Sequence, residues 1–392
     1  MPTLPTWFIL GREPNLSYAE LRSLFANVPS RFSPPILKLE LPEVPNNLIH
    51  RLGGTIKIAT ELPFSCQPQD LADTLFTYLE SHSGKVVFGL SYYTSPHITP
   101  PSPHELENLG KHLKKRLQAA GRSVRYIPNR ETILSSVTVE KNNLPRRGYE
   151  LCIHNDGSGR LAIAKTSAVQ PFEAFSDRDF GRPGRDDKSG MLPPKLALMM
   201  INIARLPAGG TLLDPFCGSG TIITEALLMG ATRVIGTDIS NKAITDTKRN
   251  LTWIQERAPQ TRTATYKVFM HDVTTLTEKI PPQSIDTIVT EPYLGKPLTG
   301  RETASGLETQ LKELQPLYQT TLNTFSTVLK KGGAAVIVVP RYRNGQTWIT
   351  MPFKNMIAST GLRPDPLSPT DYILYARPTH FVGRELWRLV KE

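Results

Sequence analysis

Cysteine is scarce in this chain, with only Cys66, Cys152 and Cys217 among 392 residues. An odd, widely spaced set excludes a disulfide framework and offers no metal-ligand spacing. The eight histidines are equally scattered, so no metal site is expected. The thiols are read as reduced, which suits a cytoplasmic protein. No run of 18 apolar residues occurs, which argues against a membrane span. The first ten residues lack a basic stretch and a cleavage site, so they do not read as a secretory signal. Neither common phosphate loop is present either. A P-loop needs Gly-Lys-Ser/Thr, which is absent, and a dinucleotide loop needs a third glycine where Ile223 stands. What remains, 39% hydrophobic and 21% charged residues, is an ordinary globular composition with room for two or three domains.

The positive features begin at Leu212-Leu213-Asp214-Pro215-Phe216-Cys217-Gly218-Ser219-Gly220-Thr221. An apolar strand ends in an acid and two close glycines, and a helix opens over Thr221–Met229, closed by Gly230. In open α/β sheets ligands settle outside the carboxyl ends of strands, and an acid roughly 20 residues on commonly accepts ribose hydroxyls. Asp238 fills that place at the end of the strand 231–238. A third strand, 265–270, leads to Asp272 and Val273. A lone Asp after a strand is usually a turn or cap residue, but three acids after three successive strands form a pattern. The string Asp-Pro-Phe-Cys-Gly-Ser-Gly-Thr resembles motif I of Rossmann-like S-adenosylmethionine-dependent methyltransferases. That resemblance implies a cofactor site of Asp214, Phe216, Cys217, Gly218, Gly220, Thr221, Asp238, Ile239, Asp272 and Val273. A cofactor bearing sulfonium and ammonium groups, without phosphate, suits an acid at Asp214.

A fourth strand, 284–289, delivers Thr290-Glu291-Pro292-Tyr293. This segment resembles motif IV, Asp/Asn-Pro-Pro-Tyr/Phe, of enzymes that methylate exocyclic amines of nucleobases. Such an amine is a poor nucleophile because its lone pair is delocalised into the ring. The site must accept its hydrogens and aim the lone pair, while an aromatic ring such as Tyr293 stacks on the base. Aligned on Pro292-Tyr293, Thr290 falls at the motif's acid and Glu291 replaces the first proline. Either Thr290 and the Glu291 carbonyl accept the amine protons, or the Glu291 carboxylate has taken over that role and collects the released proton.

The net charge of +11 suits a polyanionic partner. Its densest cluster is Lys111, Lys114, Lys115, Arg116, Arg122, Arg125 and Arg130, a window without acids. Such a run is either a solvated helix face or a phosphate-tracking surface. Lys296 and Arg301, in a glycine-bounded loop beside the base pocket, are candidates to grip a flipped nucleotide. Ser17 is read as the cap of a helix to Leu24 with Glu20 at its third position. Helices are expected over 71–81, 105–120 and 307–329, the last kinked or restarted at Pro316. The strand 334–340 is read as buried, and 372–376 with the basic tail as an antiparallel edge.

The alternating elements of 51–165 resemble a THUMP domain, an RNA-binding module. The stretches 169–172, 176–183 and 189–197 look like the linker and pre-motif helix of the THUMP-containing tRNA guanine-10 N2-methyltransferases. The resemblance implies that Met191 and Pro193 lie at the cofactor's methionine end. Four segments are expected: a small α+β subdomain at 1–50, a THUMP-like domain at 51–165, a linker at 166–190, and a Rossmann-like domain with a seven-stranded mixed sheet at 191–392. The implied activity is methyl transfer from S-adenosylmethionine to the N2 amine of a tRNA guanosine, with no metal and no membrane. A small activating partner subunit serves eukaryotic relatives, and nothing in the sequence indicates one here. The competing readings are guanine methylation in ribosomal RNA or elsewhere in tRNA, and a catalytically silent RNA-binding protein on a methyltransferase fold.

Overall fold

The computed structural model describes residues 4–185, 191–366, 368, 370–377 and 380–392. The chain divides into two compact units. One comprises Met1–Pro14 and Asn27–Glu173, the other Asn15–Ala26 and Ala174–Glu392.

The first unit holds β1 (Thr6–Leu10), β2 (Ser30–Ser33), β3 (Ile36–Leu39), β4 (Thr55–Cys66), β5 (Val86–Thr94), β6 (Val124–Tyr126), β7 (Tyr149–Asn155) and β8 (Leu161–Val169). They form one sheet in the order β2-β3-β1-β4-β8-β7-β5-β6. The proline-rich stretch read as a separate subdomain therefore shares its sheet with the strands beyond residue 51. Helices Leu71–Glu80 and Pro103–Ala119 supply Leu75, Leu79, Leu113 and Leu117 to a core shared with Phe88 and Leu151. An ion pair between Lys57 and Glu150 is fully buried in this sheet. Ser91 and Thr166 donate to the same carboxylate at 2.6 and 2.7 Å, and Lys57 Nζ also donates to the Leu134 carbonyl at 2.7 Å. Such a pair is tolerated in the interior because its remaining polar atoms are satisfied. The expected linker is partly strand, since β8 runs to Val169. Residues 186–190, with Ser189 and Gly190 of the pre-motif segment, lie outside the described residues.

The second unit holds β9 (Thr211–Asp214), β10 (Arg233–Asp238), β11 (Thr265–Met270), β12 (Ile285–Thr290), β13 (Leu329–Asn344), β14 (Thr347–Thr350), β15 (Leu362–Pro364), β16 (Tyr372–Tyr375) and β17 (Val382–Lys391). The expected mixed sheet of seven is the path β11-β10-β9-β12-β13-β17-β15, and β14 and β16 add to β13 and β17. Pairing is parallel from β11 to β13 and antiparallel around β17. Successive side chains of a strand face opposite sides of a sheet, and this explains the near-continuous apolar runs of the central strands. Leu212, Val289, Val336 and Val338 join the core beneath helices Pro194–Ala204 and Thr221–Leu228. Leu213, Ile288, Ile337 and Val339 join the core beneath helix Ala304–Val328. That helix continues through Pro316 rather than restarting there.

The N-terminal helix runs over Pro14–Leu24, so Ser17 is not its cap. Pro14 opens the helix, a position where the missing N–H is not needed. Glu20 is buried and accepts a 2.7 Å hydrogen bond from Asn202 Nδ2, while Leu16 and Ala19 lie in the second unit's core.

Candidate active site

The strand order reverses between β9 and β12, which makes the crevice at their carboxyl ends the ligand-binding place of an open α/β sheet. Asp214 ends β9, Asp238 ends β10, Asp272 follows β11 and Glu291 follows β12. The four acids thus come together at one sheet edge.

Asp214 is buried and accepts from Thr290 Oγ1 at 2.7 Å and from the Phe216 amide at 3.2 Å. Burial pushes its carboxyl up to about 7, helped by the Asp238 and Glu291 charges and opposed by those two hydrogen bonds. Asp238 accepts from the amides of Gly218 at 3.0 Å and Ser240 at 2.9 Å. It thereby ties the glycine turn to the second strand. Asp272 caps a short 3-10 turn, accepting from the Thr274 amide at 2.8 Å. Among the described residues none of these three carboxylates has a cationic partner. Gly220 adopts φ +84°, and a Cβ there would stand 2.8 Å from the Thr247 side chain. Thr247 Oγ1 donates to the Gly218 carbonyl at 2.7 Å and Asn250 Nδ2 to that of Ser219 at 2.8 Å. No local sequence signal marks these two props, which come from the neighbouring helix Asn241–Arg257.

Several expected cofactor residues are placed with particular roles. Val273 is buried, whereas Ile239 is 70% exposed beside Asp238. Cys217 is buried, and burial pushes its thiol far up. Its amide donates to the Thr237 carbonyl at 2.9 Å. Pro193 precedes helix Pro194–Ala204. Arg182, not singled out from sequence, is buried and donates to Thr221 Oγ1 at 2.5 Å and to Met191 Sδ at 3.0 Å. It draws the segment before the helix against the opening of helix Thr221–Leu228.

The segment after β12 bears differently on the two readings of its acid. Thr290 is fully buried and its hydroxyl is a donor to Asp214, so it does not face an amine as acceptor. Glu291 is the first residue off the strand, and its carboxylate is gripped by Arg384 of β17. Nε donates to Oε1 at 2.5 Å and Nη2 to Oε2 at 3.4 Å. Burial lowers the Arg384 guanidinium, but the Glu291 charge, its hydrogen bond and Tyr375 together outweigh it and raise it. Pro292 is buried and Tyr293 is 52% exposed. The Tyr318 hydroxyl donates to the Tyr293 carbonyl at 3.2 Å and that of Tyr342 to the Leu294 carbonyl at 2.6 Å. Gly295, at φ +97°, leaves room for the Tyr342 hydroxyl, which a Cβ would approach to 1.9 Å. Lys296 and Arg301 are exposed in the loop that follows.

The basic helix of the first unit is less free than its sequence window indicates. Lys111 pairs with Glu107 at 2.8 Å, and Arg116 with Asp73 at 2.6 Å while lying over the Phe76 ring. Arg122 donates to the His82 and Gly84 carbonyls, and Arg125 to Asn142 Oδ1 at 3.1 Å. Lys115 is exposed and Lys114 half-buried. The acids that neutralise the run stand outside the window, one turn back and on the adjacent helix. Among the described residues no three His, Cys, Asp or Glu converge to hold a metal ion, and no helix is long and apolar enough to cross a membrane.

The second unit is thus a Rossmann-like methyltransferase domain. Residues 182–359 match UPF0020, the RMKL-like methyltransferase domain. The tRNA (guanine(10)-N2)-dimethyltransferase of Methanothermobacter thermautotrophicus is 31% identical over 153 residues, 39% of this chain and 40% of that one. The protein of the same name from Methanocaldococcus jannaschii is 47% identical over 62 residues, 16% of this chain and 17% of that one. The chain therefore spans about two fifths of the length of the first relative and less of the second. The structure of TrmN from Thermus thermophilus shares the fold with a TM-score of 0.56 at 17% identity, covering 99% of this chain and all of that one. The family model and the curated relatives bear out the resemblance to the tRNA guanine-10 N2-methyltransferase family, and the TrmN structure bears out the fold.

Proposed function

We propose that the chain transfers a methyl group from S-adenosylmethionine to the exocyclic N2 amine of a guanosine in tRNA, guanosine 10 being the position its relatives' names point to. One observation carries the reading. Among the described residues the carboxylates of Asp214, Asp238 and Asp272 stand without a cationic partner at the carboxyl ends of β9, β10 and β11, and Thr290 bonds to Asp214 just before the loop that follows β12. Burial leaves Asp214 with an elevated pKa, and a positively charged ligand relieves that cost. The donor set therefore fits a sulfonium cofactor.

When bound, S-adenosylmethionine supplies an electrophilic methyl carbon. Asp238 keeps free lone pairs beyond its two amide bonds and would accept ribose hydroxyls. Asp272 would accept the adenine amine, with Ile239 and Val273 against the ring, and Met191 and Pro193 would border the methionine end. Tyr293 offers its exposed ring to the guanine. The Glu291 carboxylate accepts the amine hydrogens and turns the nitrogen lone pair toward the methyl carbon. Catalysis of this kind draws on orientation and fixed charge. Lys296 and Arg301 would hold phosphates next to the flipped base, and Lys111, Lys114, Lys115, Arg116, Arg122 and Arg125 the body of the tRNA. The first unit acts in this scheme as a THUMP-like RNA-binding domain. Calorimetry of cofactor binding, followed by methyl incorporation into bulk tRNA, tests the proposal. Cofactor binding without incorporation would favour the silent RNA-binding reading.

A further inference from the structure

The grip of Arg384 on Glu291 joins residues 93 positions apart in sequence, from two strands that are not neighbours in the sheet. Both side chains are mostly buried, at 14% and 13% exposure. A salt bridge needed only to fasten β17 could sit anywhere along the strand. This one sits on the first residue past β12, next to Thr290, which bonds to Asp214, and two residues before the exposed Tyr293. Arg384 stands opposite Pro340 of β13 and Tyr375 of β16. The next residue, Glu385, is engaged elsewhere, with Trp387 and Arg341.

The contact is also one-sided. The guanidinium takes one lone pair from each Glu291 oxygen and leaves the others free to accept hydrogens. We propose that Arg384 is a positioning residue that fixes the direction of the Glu291 carboxylate as an acceptor for the substrate amine. The inference rests on the methyl-transfer reading above. The amine nitrogen forms its bond to the methyl carbon as the carbon–sulfur bond breaks, and the sulfur leaves as a neutral thioether. The proton lost from nitrogen passes to water. Without Arg384 the Glu291 carboxylate loses both of the donors that fix its direction, and its remaining lone pairs are no longer held toward the amine. The groups that face Glu291 are Arg384 from β17, Asp214 from β9 and Tyr318 from helix Ala304–Val328, while Tyr375 of β16 acts on Arg384.

The test is single-turnover methyl transfer to tRNA by the full-length chain at saturating cofactor, with cofactor and tRNA affinities measured beside the rate. Arg384→Gln should lose about a hundredfold in rate, the scale of a misplaced reacting group. Its cofactor and tRNA affinities should be unchanged. Arg384→Lys, which keeps the charge and a donor, should keep most of the rate. Should Arg384→Gln fail to fold, the exchange of Glu291→Arg with Arg384→Glu keeps the pair, and is expected to fold and to be inactive. An unchanged Arg384→Gln rate, an Arg384→Lys variant as slow as Arg384→Gln, or an active exchanged pair would overturn the proposal alone. A wild-type chain that transfers no methyl group would overturn the methyl-transfer reading with it.

Discussion

Thr290 Oγ1 donates a 2.7 Å hydrogen bond to Asp214 Oδ1, joining the ends of β12 and β9 across the point where the strand order reverses. The segment that would handle the base is thereby coupled to the acid that would face the cofactor. Thr290→Val keeps the shape and removes the donor. Leaving a buried acceptor short of its partner costs about 1–3 kcal/mol. We expect that loss in urea unfolding, together with weaker cofactor binding. Unchanged stability and cofactor affinity would show that the bond is incidental.

Asp214 also makes the site sensitive to pH. Its folded value of about 7 lies above the ordinary 3.8, so the folded chain holds a proton that the unfolded chain has released between those values. The stability from this group is complete below the ordinary value and is lost as the pH rises through 7. A cationic ligand favours the charged form, so its binding should strengthen over the same interval and release protons. Calorimetry in buffers of different ionisation enthalpy reads that release directly. Affinity that is flat from pH 5 to 8, a window around that value, would contradict it.

Asp238 ties the Gly218 amide and would hold the ribose. Asp238→Ala should weaken cofactor binding roughly ten- to a hundredfold, the worth of a charge-assisted hydrogen bond. A folded variant with undiminished affinity would reject the assignment.

The strand-tip acids were legible in the sequence because each follows a short apolar strand. Such a strand and the turn after it are local features. The pairs that decide how the site works were not. Arg384 meets Glu291, Thr290 turns inward to Asp214, and Tyr318 and Tyr342 clamp the next turn. Each depends on sheet order rather than spacing, and the motif resemblance on which Thr290 was a candidate acceptor does not report side-chain direction. The N-terminal helix misled for a related reason. Ser17 and Glu20 have the spacing of a capping box, yet the helix starts at Pro14 and both residues are buried.

That helix carries its own prediction. Leu16 lies 1% exposed in the core of the second unit. Leu16→Ala should destabilise that unit by about 2–5 kcal/mol, the cost of a lost side chain and the cavity left behind. A chain begun at residue 186 would also lose Glu20 and the Arg178–Glu225 pair, and should unfold more readily than the full chain. Denaturant melts of both would show it. A fragment as stable as the whole would mean that residues 15–26 add nothing to this unit.

The central claim is that Glu291 and its neighbours present a guanosine amine of tRNA for methylation. Mass spectrometry of nucleosides from tRNA incubated with the full-length chain and S-adenosylmethionine tests it most directly, with nuclease mapping of the modified position. The account predicts N2-methylated guanosine at position 10, lost in Glu291→Gln by roughly 10²–10³ in rate. A methyl group found on another base or another guanine atom, or an unmodified tRNA, would contradict it.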